Sequence, residues 1–210
     1  MEEINSAMEF GAGGGWNLIP FQKEGITTKG YDYSPSLVSL GRRRGLNLFQ
    51  GGIDDIKGHF DLIILNHVVE HFSDPIANLK KIKKHLNPQG IVYIAVPNVE
   101  NFSMGQLQNA HTYYFTLPTL QYFMSKSGLK LIHHEIAQSI HLATIFVGAE
   151  EILPDDFLSG NYEHMIGVIE KYRRRSSNPV RKIIVRLLNL IGLAGAIKSF
   201  VNFLRHPIKK

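Results

Sequence analysis

Four glycines fall within five residues, Gly11-Ala12-Gly13-Gly14-Gly15, directly after Glu9 and a weak apolar run over residues 4–10. Such a loop admits left-handed backbone and lets a ligand lie against the main chain. A dinucleotide fingerprint would need a further glycine at position 16. That position is Trp16, and the spacing is acid-x-G-x-G-x-G, which disfavours NAD-dependent redox chemistry. Taken alone, the loop also reads as a tight structural turn. A second acid, Asp32, closes the run over residues 26–32, inside Gly30-Tyr31-Asp32-Tyr33-Ser34-Pro35. A carboxylate at a strand end there can accept both hydroxyl hydrogens of a ribose. Ser34 caps the helix that Pro35 begins. A third cluster, Gly51-Gly52-Ile53-Asp54-Asp55-Ile56, follows a short run over residues 46–49.

These loops need a scaffold that brings them to one side. Residues 60–66 (Phe60-Asp61-Leu62-Ile63-Ile64-Leu65-Asn66) and 90–97 are near-continuous apolar strands, the pattern of a sheet covered on both faces. Between them, residues 75–86 place Ile76, Leu79, Ile82 and Leu86 on one helical face and lysines on the other. Residues 117–127 read as a helix stopped by Gly128, and residues 130–136 and 140–148 as a closing strand pair. Alternating strands and helices predict a doubly wound, mostly parallel α/β sheet of seven strands with a helical C-terminal extension. Ligands of such sheets bind beyond the carboxyl ends of the strands, at the switch point.

The ordered set resembles the class I S-adenosylmethionine-dependent methyltransferases over about residues 4–148. It is closest to the branch of ubiquinone-pathway and polysaccharide-cluster small-molecule enzymes. The residues that carry the resemblance are Glu9-x-Gly11-x-Gly13-x-Gly15, Gly30-x-Asp32-x-Ser34-Pro35, Phe60-Asp61-Leu62-Ile63, Glu70-His71-Phe72 with Asp74-Pro75, Asn87-Pro88-x-Gly90 and Pro97-Asn98. His111-x-x-Tyr114-Phe115-Thr116 is a later echo. The resemblance implies a Rossmann-like methyltransferase fold and S-adenosylmethionine as cofactor. It implies that Glu9, Gly11, Gly13 and Gly15 sit beside the methionine portion and ribose, and that Asp32 holds the ribose hydroxyls. Tyr33 would pack on the adenine. Asp54 would meet the adenine amino group, and the Ile53–Asp54 backbone its ring nitrogens. Asn66 and His67 would face the methyl group. The acceptor implied is a small molecule, by analogy a hydroxyl of a sugar, lipid-linked or quinone-like compound. The other reading is an inactive module of the same fold that serves as a binding or partner subunit.

His67-Val68-Val69-Glu70-His71 also spells the H-x-x-E-H zinc pattern, and two histidines four apart on a helix can share a metal. The pentad follows a core strand of a cofactor-binding sheet, so no metal is assigned and His71 reads as structural. His67 is a candidate active-site group, and His111 is a candidate base, because imidazole titrates near neutrality. For each, a capping or packing role is the competing reading. His133 and His134 alternate across a strand and cannot act on one face.

The chain of 210 residues suits one domain with an appendage. Hydrophobic residues at 44% and charged residues at 20% are ordinary for a globular protein. The lack of cysteine excludes disulfides, zinc-thiolate sites, Cys-ligated clusters and a Cys nucleophile, and it fits a reducing cytoplasm. Met1-Glu2-Glu3 is acidic where a secretory leader is basic. Residues 1–170 carry 12 Lys/Arg and all 18 Asp/Glu. Residues 171–210 carry 11 Lys/Arg and no acid, so a part of net −6 precedes a tail of +11 within the total of +5. An acidic fold with a basic tail predicts no nucleic-acid partner.

The predicted domains are 1–150, binding the cofactor, and 151–210, a basic and apolar helical extension. Within it, Arg173 to Pro179 reads as a hinge. Residues 180–205 are too interrupted by charge to span a bilayer, and Gly192 and Gly195 split them. They suit either an anionic membrane surface or the domain's own bare surface. The expected location is cytoplasmic, at most peripheral to a membrane's inner face. Family members carry a few tens of residues ahead of the glycine loop, forming covering helices. Here the motif begins at Glu9, which implies a lid from elsewhere or a shortened product. A bare sheet face favours a homo-oligomer or a partner chain.

Overall fold

All seven segments read as strands join one sheet in the computed structural model, which describes residues 3–101, 108–135 and 140–177. The strands are β1 (Ser6–Phe10), β2 (Thr27–Asp32), β3 (Leu48–Gln50), β4 (Phe60–Asn66), β5 (Leu86–Pro97), β6 (Leu129–Glu135) and β7 (His141–Gly148). Their order is β3-β2-β1-β4-β5-β7-β6. The first five are parallel, β7 runs antiparallel to β5, and β6 antiparallel to β7. The chain therefore winds outward from β1 in one direction and returns to β4 for the other. The switch point lies between β1 and β4, where the loops after both strands diverge and leave a crevice.

The period-2 alternation of β4 feeds two cores. Ile63 and Leu65 join Met8, Val92 and Ile94 on one face. Helices α3 (Pro75–Lys83), through Leu79 and Ile82, and α4 (Leu117–Lys126), through Leu120 and Met124, cover that face. Leu62 and Ile64 join Ala7 and Leu48 on the other, with Val38 of α2 (Pro35–Arg43) and Leu18. Capping follows the sequence. Ser34 Oγ accepts from Leu37 N, Asp74 from Ala77 N, and Thr116 from Thr119 N, and proline occupies the first turn in each case.

One local expectation changes, at the end of α3. Ahead of it, the glycine loop opens a 3-10 turn (Trp16–Leu18) and then a five-residue α1 (Ile19–Lys23). Pro20 sets the first turn of α1, and Gly25 at φ 81 follows its end. Helix α3 ends at Lys83, and Leu86 belongs to β5, paired with Phe60. The next ladder pair is Leu62 with Ile91, so Asn87-Pro88-Gln89-Gly90 forms a bulge within β5, in the stretch the sequence leaves between the helix over 75–86 and the strand over 90–97. Asn87 Nδ2 donates to Asp61 Oδ1 at 2.6 Å, and the other Asp61 oxygen takes the Asn5 and Ser6 backbone N–H groups, each at 3.0 Å.

Gly41 in α2 marks where that helix meets the glycine loop. A Cβ there would fall 2.7 Å from the Gly14 carbonyl oxygen and would collide with Leu48 Cδ1. Gly41→Ala gains at most about 1 kcal/mol of helix propensity. Overpacking against backbone costs about 1–3 kcal/mol. The variant is therefore expected to be less stable by roughly 1–2 kcal/mol, seen as a lower urea midpoint at unchanged slope. An unchanged midpoint would refute this close approach.

Contacts divide the chain into two units, Met1–Asn161 and Tyr162–Lys210. Of the second, the described part is the remainder of α5 (Asn161–Ser177), with a Glu170–Arg174 pair one turn apart. The basic, apolar stretch over residues 180–205, with Gly192 and Gly195, lies outside the described residues. Among the described residues no helix is long and apolar enough to cross a membrane.

Candidate active site

The crevice at the switch point is a cleft of about 620 Å³. Its walls come from the carboxyl ends of four strands. At the end of β1 stand Phe10 and Gly11, and at the end of β2 stand Asp32 and Tyr33. Gly52 to Asp55 follow β3, and His67 and Val68 follow β4. The segment before α3 adds His71, Phe72 and Ser73, and α3 itself adds Asn78 and Lys81.

Asp32 organises the floor. Its Oδ2 accepts from Gly13 N at 2.7 Å and its Oδ1 from Ser34 N at 2.8 Å. A carboxylate offers about four acceptor positions. The backbone therefore takes one on each oxygen and leaves one on each for a ligand. Gly11 has φ 73, a left-handed conformation, and a Cβ there would lie 2.5 Å from Val68 Cγ2. Only glycine lets this loop pass between β4's end and the cleft. Tyr33 is largely exposed, and its ring edge meets Phe10 at 6.1 Å between centroids.

Not every residue singled out by sequence lines the cleft. Gly13 sits behind Asp32, with its N–H used there. Gly15 packs toward Leu46 and Leu48 in the second core. Glu9 is buried beneath the loop, where Oε1 accepts from Asn17 Nδ2 at 2.6 Å and Oε2 has no hydrogen-bond partner. Burial, with the nearby Asp32 charge adding, pushes Glu9 up to about 7 despite the Asn17 hydrogen bond. Asn66 ends β4, paired with Ala95, and stops short of the wall. Ile53 and Asp54 do line it, but both Asp54 oxygens bind Lys81 Nζ, at 2.8 and 3.0 Å. Sequence reading placed the lysines of α3 on its solvent side. The i, i+3 spacing of Asn78 and Lys81, flanking the buried stripe of Leu79 and Ile82, was the signal that they share a second face.

His67 is the one described non-glycine residue in left-handed backbone, at φ 56. Its N–H binds Ala95 O at 2.9 Å, and its Nδ1 lies 3.1 Å from Glu70 Oε1. Glu70 is fully buried, so this pair fixes the ring at the cleft wall. The His141 ring stands edge-on at 4.6 Å, and burial, then the neighbouring His67, push that imidazole down. His111 does not line the cleft. It packs against His71, at 4.9 Å, and Tyr114, at 5.9 Å, on the connection between β5 and α4.

This arrangement has counterparts among known proteins. A family model described as a methyltransferase domain matches residues 2–134. The chain belongs to the methyltransferases. Their class I, S-adenosylmethionine-dependent form is the seven-stranded sheet found here. Solved structures share that fold. Streptomyces venezuelae DesVI aligns at 18% identity and TM-score 0.61, over 70% of this chain and 85% of that one. Streptomyces caelestis CcbJ methyltransferase aligns at 11% and 0.61, over 69% and 83%. Burkholderia thailandensis 1,6-didemethyltoxoflavin-N1-methyltransferase, solved with 1,6-didemethyltoxoflavin and S-adenosylhomocysteine, aligns at 18% and 0.57, over 69% and 71%. No curated protein sequence matches the chain.

The cofactor of this methyltransferase is S-adenosylmethionine. The cleft fits it on three counts. Its volume lies within the roughly 300–1,000 Å³ of small-ligand sites. Asp32 keeps an unspent acceptor position on each oxygen. Gly11 leaves bare backbone where a side chain has no room.

Proposed function

We propose that this methyltransferase methylates a small molecule, at a hydroxyl of a sugar, lipid-linked or quinone-like acceptor. One observation carries the reading: the acceptor-rich carboxylate of Asp32 and the oriented imidazole of His67 open onto the same cleft. Bound S-adenosylmethionine supplies a methyl already activated by the sulfonium charge, and its transfer is an in-line displacement. The protein's part is alignment, exclusion of water and proton removal. Asp32 holds the ribose hydroxyls on its free acceptor positions. The exposed Tyr33 ring and the Ile53–Asp54 backbone flank the adenine. Gly11 leaves room for the amino-acid end along the loop. His67 takes the acceptor's hydroxyl proton at Nε2 while Glu70 holds Nδ1. His111, away from the cleft wall, has no part in that step. The small-molecule acceptor is also supported by the toxoflavin methyltransferase among the structural neighbours, which was solved with its small-molecule ligand.

Calorimetric titration with S-adenosylhomocysteine, beside transfer of labelled methyl to a panel of hydroxyl compounds, tests the reading. Micromolar binding and labelling of at least one acceptor are expected. His67→Gln is expected to lower turnover by about 10²–10⁴-fold, the usual worth of a positioned base. Binding without turnover on any acceptor would identify a non-catalytic module, and no binding would overturn the proposal.

A further inference from the structure

Beside the cleft, the methyl-transfer reading leaves three side chains unexplained as a group. Glu70, His71 and His111 each offer one ligand atom, and these atoms all lie within 4.8 Å of one another. Glu70 Oε1 is taken by His67, but Glu70 Oε2 is buried with no hydrogen-bond partner. His111 Nδ1 is likewise buried and unpartnered. Leaving a buried polar atom unsatisfied is costly, and for a charged group more so. Two such atoms in one cluster therefore call for a shared partner.

The surrounding hydrogen bonds hold the cluster ready. His71 Nδ1 lies 2.8 Å from the Ala110 carbonyl oxygen. A carbonyl only accepts, so Nδ1 carries the proton and Nε2 presents its lone pair. That is the outer-shell pattern of metal-binding histidines. Thr112 N and Tyr113 N both donate to Glu70 O, at 2.9 and 3.2 Å, which fastens the His111 segment to the Glu70–His71 turn. Segments some forty residues apart in sequence are thus locked where their side chains converge.

The geometry points to a divalent transition-metal site built by Glu70, His71 and His111. Two imidazoles and one carboxylate suit zinc and its first-row neighbours, and three protein ligands leave positions open. Ligand atoms around such an ion at about 2.1 Å stand roughly 3–3.5 Å apart, so rotation of the two rings by about an ångström closes the shell. The exposed His71 also lines the cleft, which sets the open side toward the acceptor end. The site was hidden in the sequence because the H-x-x-E-H spelling suggests His67 and His71 as the pair. In the fold Glu70 instead replaces His67 as ligand, and His111 arrives from another loop.

The test uses the full chain, free of any histidine tag and stripped with a chelator. Zn²⁺ is titrated by calorimetry, and Co²⁺ is added while visible absorption is followed. One equivalent of each is expected to bind with micromolar or tighter affinity, and Co²⁺ is expected to give ligand-field bands of low-symmetry N/O coordination. His71→Ala, at an exposed position, and His111→Ala are each expected to weaken Zn²⁺ binding at least 100-fold and to abolish the bands. His133→Ala with His134→Ala, on exposed β6 positions, is expected to change neither. Absence of saturable binding, or binding unaffected by His71→Ala and His111→Ala, overturns the site. Metal-free wild-type protein that binds S-adenosylhomocysteine but not Zn²⁺ overturns the metal site alone. Protein that binds Zn²⁺ but not S-adenosylhomocysteine overturns the cofactor placement alone.

Discussion

Replacing Asp32 by alanine is expected to weaken S-adenosylhomocysteine binding by at least 100-fold. The carboxylate does two things at once. It fixes the glycine loop through Gly13 N and the turn into α2 through Ser34 N. In the placement proposed above, its two remaining acceptor positions face the ribose. Hydrogen bonds to a charged group are worth about 1.5–3 kcal/mol each, so losing two of them from a ligand costs two or more decades of affinity. Asp32→Asn keeps an acceptor but lacks the charge, and it exchanges one lone-pair oxygen for a donor. It should fall between the parent and alanine. Thermal melts of the free variants separate loop loosening from lost ligand contacts. Calorimetry at a temperature where both variants are folded then reads binding alone. Retention of affinity within a few-fold in Asp32→Ala would remove Asp32 from the ribose site.

Stability should fall as pH rises from about 4.5 to about 7, and Glu9→Gln should remove most of that fall. Glu9 is buried, with one oxygen unpartnered, and its pKa is raised from 4.5 to about 7. Below pH 4.5 both the folded and unfolded chains carry the proton, and Glu9 makes no difference to the slope. Between 4.5 and 7 the unfolded chain ionises while the folded protein keeps its proton. The folded state then binds more protons, so stability declines with pH, and the decline ends above 7. A shift of this size is worth on the order of 3 kcal/mol. The neutral amide that Glu9→Gln introduces still accepts from Asn17 and has no charge to bury. The variant should therefore be more stable than the parent at pH 8, by several degrees in melting temperature, and equal to it near pH 4. Parallel pH profiles for parent and variant would show that Glu9 ionises normally in the fold.

Much of the fold was legible because its causes are local. The apolar run over residues 60–66 and the alternation within it specify a strand buried on both faces. Proline after a capping Ser34, Asp74 or Thr116 starts three helices where the sequence places them. The spacing of the glycine loop from Asp32 pointed to a ligand site at the strand ends, because a strand of fixed rise sets where its end must fall, and the resemblance of the ordered motifs supplied the cofactor. What was not legible depends on partners distant in the chain. Proline and glycine at 88 and 90 signal a turn, yet pairing on both sides of that segment absorbs it into β5 as a bulge.

The sequence alone thus determined the strand and helix pattern, the family and the glycine loop whose Gly11 borders the cleft. Tertiary structure decided which of the marked residues reach the cleft and which lie behind it. Gly15 turns into the second core, Lys81 comes to Asp54, and His111 is carried to Glu70 and His71 instead of to the cleft wall. The reason is that hydrophobic periodicity fixes which face of each element is buried. The meeting of side chains from separate loops is fixed only once crossovers, backbone hydrogen bonds and burial have set those loops against one another.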